Sequence, residues 1–322
     1  SIIRGVPKLA TLSSRPILLN KREKENLERA IEYFKQAIER DPDYAPAYAG
    51  LADAYVVLGS NRLSAPGEAY PKAKAAALQA LEIDENLPEV RTSLAAVKSD
   101  YDWDFSGAER EYKRALHLNP NYATARHWYA LLLSDLGRHE EAISEIYLAQ
   151  RLDPLSSRIN ANLGLILYYA RRYDQALEKL KKALEIDPFH SATYEYLGLV
   201  YSQTGRYKKA IESIEKATKL GSNPADIDID LACVYARSGN WMESRKILAR
   251  IKESGKSSFS SPAYIAAIHG ELGEKDEAFD WLEKAYAERD PALCELKTAP
   301  RFDPLRTDPR FTAFLGRIGL NE

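Results

Sequence analysis

Residues 194–217 read YEYLGLVYSQTGRYKKAIESIEKA, and two helices follow from these letters alone. Tyr194, Leu197, Gly198 and Tyr201 form one apolar stripe at the helical period; Ala210, Ile214 and Ala217 form a second after a break at Gly205. Glycine suits that break because it tolerates the positive φ at which helices commonly end. The same grammar recurs along the chain at a spacing of 34 residues. Ala108, Ala142, Ala176, Ala210, Ser244 and Ala278 keep the small position, and Tyr112, Ile146, Leu180, Ile214, Leu248 and Leu282 follow each by four. Ala115, Ala149, Ala183, Ala217, Ile251 and Ala285 complete that stripe, while Ala130, Gly164, Gly198, Ala232 and Ala266 keep the small position of the preceding helix. Gly137, Gly205, Gly239 and Gly273 fall between the two helices, and Pro120, Pro154 and Pro188 close three units. A unit of this kind cannot bury its apolar face alone, so the spacing predicts an all-α solenoid of stacked helix pairs.

The pattern resembles the tetratricopeptide repeat (TPR), most clearly in Tyr194, Leu197-Gly198, Tyr201, Ala210, Ile214 and Ala217, and in Leu163-Gly164, Ala176, Leu180, Ala183 and Pro188. The resemblance implies a right-handed superhelix of antiparallel helix pairs. Seven repeats are expected, beginning near Ala45, Pro88, Ala123, Ser157, Ser191, Ala225 and Phe259. Ala30, Phe34, Ala37 and Pro42 mark half of an earlier one. This divides the chain into an N-terminal segment 1–20, degenerate or linker, an array 21–290 and a capping segment 291–322 with a helix from about Pro309 to Ile318. The cap is expected to cover the outer face of the last repeat, including Ile265, Leu282 and Tyr286.

Two places break the rhythm. The step from Ala30 to Ala73 is 43 residues, and the Gly/Ser/Pro/Asn-rich stretch from Gly59 to about Pro71 predicts a loop, either binding surface or decoration. The next unit carries one extra residue, and Tyr101-Asp102-Trp103-Asp104-Phe105 is expected to plug an inter-helix junction. The run from Trp281 through Asp290-Pro291 to Arg301-Phe302-Asp303-Pro304-Leu305 and Phe311 resembles the end of TPR arrays in large bacterial regulators, as does Tyr122 to Ala130. That resemblance implies a neighbouring winged-helix, Ser/Thr kinase or nucleotide cyclase domain. A chain that starts at Ser1 with Met242 as its single methionine is expected to be a segment of something longer.

A net charge of −2 with mixed signs shows no dominant basic stripe and argues against nucleic acid. Cys233 and Cys294 lack a C-x-x-C or a second pair, so they are expected to be core thiols. Neither a membrane-length apolar stretch nor a signal-peptide core is present in the letters, and a cytoplasmic location is expected unless the segment belongs to a membrane-anchored regulator.

Nothing demands catalysis. Gly255-Lys256-Ser257 resembles the end of a phosphate loop but lacks the glycine five positions earlier, where Arg250 stands. His139-Glu140-Glu141 lacks the second histidine of a zinc-protease helix, and the other histidines fall in different repeats. No metal, cofactor or catalytic residue is expected.

The stripe opposite the helix-pair contact lines the concave face in TPR proteins, and here it offers Asp53, Val56, Thr124, His127, Leu131, Ser134, Asp135, Arg158, Leu165, Tyr168, Tyr169, Glu195, Leu199, Ser202 and Gln203. Aromatic anchors flanked by hydrogen-bonding groups suit a protein or peptide segment, with Tyr168 and Tyr169 as anchors and Arg158, His127 and Glu195 fixing orientation. Packing of the two tyrosines against the next repeat is the competing reading. Ala49, Asp53, Thr92, Ala96, His127 and Leu131 depart from the Lys and Asn pattern of TPR modules that grip chaperone tails. The expected role is a non-catalytic interaction or sensory module. A self-associating scaffold is the alternative, and a groove that positions substrate for a hydrolase or transferase comes third.

Overall fold

The computed structural model describes residues 19–254 and 260–321. Residues 1–18 and Gly255-Lys256-Ser257 lie outside them. The described chain is helical throughout: α1 (Leu19–Arg40), α2 (Ala45–Ser60), α3 (Pro66–Ile83), α4 (Pro88–Val97), α5 (Phe105–Leu118), α6 (Ala123–Asp135), α7 (His139–Leu152), α8 (Ser157–Tyr169) and α9 (Tyr173–Ile186). Then come α10 (Ser191–Gln203), α11 (Tyr207–Lys219), α12 (Pro224–Arg237), α13 (Trp241–Ser254), α14 (Pro262–Glu271), α15 (Lys275–Ala287) and α16 (Pro309–Arg317). Consecutive helices pack as antiparallel pairs, and the first helices of neighbouring pairs also touch.

The small residues mark where two helices cross. A Cβ built on Gly164 would lie 2.4 Å from Leu180 Cγ, and one on Gly198 would lie 2.5 Å from Ile214 Cγ1. The small residue of one helix therefore exists to receive the large residue of its partner, and Ala108, Ala142, Ala176, Ala210 and Ala278 are fully buried on the other side of the same contact. The turns repeat too. Gly137, Gly205, Gly239 and Gly273 have φ of 81°, 71°, 84° and 78°, and Arg171 takes the equivalent place at 61° without being glycine. Each is followed by a bond back into the helix, such as Arg206 N–H to Tyr201 O at 2.8 Å and Arg172 N–H to Leu167 O at 2.9 Å, which satisfies carbonyls the helix end would orphan.

The expected loop from Gly59 to Pro71 is much shorter. α2 runs on to Ser60 and α3 starts at Pro66, with Pro71 inside it, so the extra residues lengthen helices and only 61–65 form a turn. In the next repeat the single extra residue is absorbed by a π-helical turn at Lys98–Asp102, after which Trp103 adopts φ 58°.

The largest departure is the C-terminal segment. α16 packs on α15: Phe314 meets Tyr286 edge-on at 6.1 Å and Arg317 pairs with Glu283. Residues 291–305 do not stay on that outer face. They form two 3₁₀ turns, Pro291–Lys297 and Pro300–Leu305, which contact α6, α14 and the π turn and so lie against the concave side. Leu293, Leu296, Phe302 and Leu305 are fully buried there.

A groove filled by the chain itself

The first helices α2, α4, α6, α8, α10, α12 and α14 supply the concave wall, because their other stripe is consumed by their partners. Against this wall the 291–305 segment is anchored at several points. The Arg301 guanidinium stacks on the Tyr264 ring at 4.2 Å and pairs with Asp230 at 3.3 Å. The Tyr264 hydroxyl donates to the Glu295 carboxylate, 2.9 Å from each oxygen. Arg171 pairs with Asp303 at 2.7 Å, and Cys294 Sγ donates to the carbonyl of Ser99 at 3.3 Å. Close approach is permitted where the wall is small, as a Cβ on Gly270 would come 3.1 Å from Leu305.

This filling decides the fate of the expected groove residues. Tyr168 and Tyr169, expected as open anchors, are 2% and 6% exposed, and Leu165, His127 and Ser134 are buried with them. Tyr168 and Tyr169 share one buried cluster with Leu293, Leu296, Phe302 and Leu305 of the tail. They are core residues in this state. His127 accepts from Asn162 Nδ2 at 2.7 Å through Nε2; burial, reinforced by Arg158, pushes its pKa down to about 3 and keeps the ring neutral. Arg158 remains exposed, and Thr124, Leu131, Glu195, Leu199 and Gln203 are half-buried. With its amide oriented to satisfy both ends, Gln203 accepts from Arg237 at 2.8 Å, and Arg237 in turn pairs with Glu271.

The interior is rich in carboxylates. Burial pushes Asp53 and Asp100 up to about 6 and Glu195 up to about 7, and Glu89, Glu295 and the pair Asp230 and Asp226 respectively add to the shift. Burial raises Asp135 further, helped by Glu295 and Asp100. Among the described residues no group of three or more His, Cys, Asp or Glu is arranged to hold a metal ion.

Sequence reasoning missed the second wall contact. The aromatic turn expected to plug a helix junction does so only in part, through Tyr101 stacked on Tyr70 at 5.5 Å. Trp103 instead meets Tyr286 of the last repeat at 4.9 Å, and Arg289 covers Trp103 at 4.2 Å while donating to the Tyr101 carbonyl at 3.3 Å. A Cβ built on Gly319 would lie 3.7 Å from the Trp103 carbonyl oxygen. The ends of the array therefore meet.

Three models described as tetratricopeptide repeat match residues 21–62, 104–157 and 155–221. Transcriptional regulator HilA of Salmonella typhimurium is 26% identical over 144 residues, 45% of this chain but 26% of HilA. Protein O-mannosyl-transferase TMTC3 of Homo sapiens is 28% identical over 143 residues, 44% of this chain and 15% of that protein. The chain thus spans about a quarter or less of these relatives. Among solved structures, a human IFIT1 dimer with m7Gppp-AAAA superposes with a TM-score of 0.61 at 17% identity, covering 81% of this chain and 68% of that one. The Cut9-Hcn1 hetero-tetramer of APC/C gives 0.59 at 15% identity, covering 93% and 55%. These likenesses are of fold alone.

Proposed function

Because the chain belongs to the tetratricopeptide repeat family, we propose that it is a non-catalytic protein-interaction scaffold whose partner contacts the uncovered part of the concave face. The observation that carries this reading is the division of that face. Residues 291–305 occupy part of it, from α14 across to α6 and the π turn, whereas Thr124, Leu131, Arg158, Glu195 and Leu199 keep solvent access on three consecutive repeats. An exposed arginine among half-buried apolar and hydroxyl groups is the composition of a polar-rimmed protein contact. The match to HilA, a transcriptional regulator, supports placing the segment in a bacterial regulatory protein. IFIT1 carries an RNA cap in the structure it resembles, but an interior bearing Asp53, Asp100, Asp135, Glu195, Asp230 and Glu295 on a chain of net charge −2 argues against a polyanion here.

The test is capture of the partner by the full chain, followed by titration with Arg158→Ala and Thr124→Arg. Loss of binding of tenfold or more with unchanged circular dichroism supports the reading; unaltered binding by both variants sinks it.

A second reading, self-association through a second copy, is favoured by one feature. Leu152, Leu155, Ile186 and Phe189 are 39%, 76%, 39% and 52% exposed at equivalent points of two successive repeats, forming an apolar ridge. Light scattering of Leu155→Glu with Phe189→Glu against the parent chain tests it, since only a ridge-mediated dimer becomes monomeric.

A further inference from the structure

We propose that Arg62, on the turn between the two helices of the first full repeat, is a latch that closes the array into a ring and gates the concave chamber. A solenoid ordinarily contacts only neighbouring units, so its two ends are free to part. Here Arg62 crosses to the far wall. Its Nη2 lies 2.6 Å from Asp226 Oδ1 in the first turn of α12, and its guanidinium carbon stands 5.1 Å from the Tyr264 ring on α14. The charge of Asp290 also faces it, and Glu195 lies within reach of its field.

The turn that carries Arg62 is built to present a side chain. Arg62 has φ 53°, in the left-handed region where glycine would be relaxed, and the turn is held by Arg62 N–H to Gly59 O at 3.0 Å and Leu63 N–H to Leu58 O at 2.9 Å. Keeping an arginine in that conformation makes sense when its guanidinium does something a glycine cannot.

The junction is closed but unsaturated. The two side chains are 17% and 19% exposed, and Arg62 Nε is buried without a hydrogen-bond partner. That group regains water when the junction parts, which offsets part of the loss of the ion pair. The other meeting of the ends, Trp103 with Tyr286 at 4.9 Å and with Arg289 at 4.2 Å, is aromatic. Opening therefore hinges at the aromatic contact and begins at Arg62, swinging α1–α3 away from α12 and α14. The consequence for binding rests on the concave chamber being the partner surface; the closure itself is tested without any partner.

The experiment compares the full chain with Asp226→Ala, Arg62→Ala and the charge exchange R62D/D226R by small-angle X-ray scattering, with limited trypsin digestion after Arg62 for the parent and Asp226→Ala. The latch predicts a larger maximum dimension for both single variants, cleavage after Arg62 at least tenfold faster in Asp226→Ala, and a compact profile restored by the exchange. Circular dichroism confirms that the helices persist, and Asp226→Asn, which keeps shape while removing charge, replaces Asp226→Ala if that variant unfolds. Unchanged dimensions and unchanged cleavage in the single variants overturn the proposal, as does an exchange no more compact than they are. A partner that fails to bind a chain shown to open counts against the chamber as its site and leaves the latch standing.

Discussion

The guanidinium of Arg301 lies 4.2 Å from the centre of the Tyr264 ring, joining the C-terminal segment to the first helix of the last repeat across the concave face. The same arginine neutralises Asp230 at 3.3 Å, and both side chains are about nine-tenths buried. Removing it leaves an uncompensated carboxylate inside the molecule. Arg301→Met is expected to cost about 3 kcal/mol in urea unfolding, the scale of breaking one half of a buried pair. Adding Asp230→Asn should recover part of that loss. A cost below about 0.5 kcal/mol, that of an ordinary surface change, would show that the segment is not seated.

Tyr168→Ala should now behave as a core truncation. The ring is 2% exposed and packs 5.6 Å from Tyr169 and 6.0 Å from Tyr173. A loss of about 3 kcal/mol or more is expected, as for other large-to-alanine changes in cores. A thermal melt unaltered by this change would return the tyrosine to the open groove in which its sequence position suggested it.

Gly198→Leu should be severely destabilising, because even a Cβ there meets Ile214 at 2.5 Å. Gly205→Ala is the control: nothing lies within 4 Å, and only the φ of 71° is unfavourable, so about 1 kcal/mol is expected. Equal costs for the two, measured by chemical denaturation, would contradict the assignment of Gly198 to a helix crossing.

The contribution of Glu195, Asp53 and Asp100 to stability should fall as pH rises through the range from about 4.5 to 7. Glu195 is pushed up to about 7 by burial, and Asp53 and Asp100 to about 6. The native state therefore holds protons that the unfolded chain releases near the ordinary carboxylate range, so the stability gained by these groups is present below that range and lost as pH climbs through their folded values. Measured against the parent at each pH, Glu195→Gln should gain relative stability between pH 5 and pH 8, reaching about 1–3 kcal/mol at pH 8. A Gln variant with the parent's full pH slope would mean that Glu195 is solvated.

The helix pairs were legible because each obeys a local rule: a small residue facing a large one, then a turn at fixed spacing. Gly164 with Leu180 and Gly198 with Ile214 satisfy it within a single unit. The contents of the groove were not legible, because no local rule links them. Arg171 meets Asp303 from 132 residues away, and Cys294 reaches Ser99 from 195. One signal was available. Leu293, Leu296, Phe302 and Leu305 are more large apolar residues than a short cap on an outer face can cover, and such density in a non-repeating segment points to burial elsewhere. Arg62 was hidden for a similar reason. A Gly/Ser/Pro-rich stretch reads as a loop, although most of Gly59 to Pro71 continues the flanking helices.

The seating of residues 291–305 within the array is the claim on which the account depends, and hydrogen exchange of the intact chain measured by mass spectrometry tests it most directly. Peptides covering this segment should exchange as slowly as those from α8, since Leu293, Leu296, Phe302 and Leu305 are fully buried and the segment leaves only with cooperative opening of the array. Exchange of the same peptides within seconds while α8 stays protected would show a tail lying outside the groove, and Tyr168 and Tyr169 would again be open to a partner.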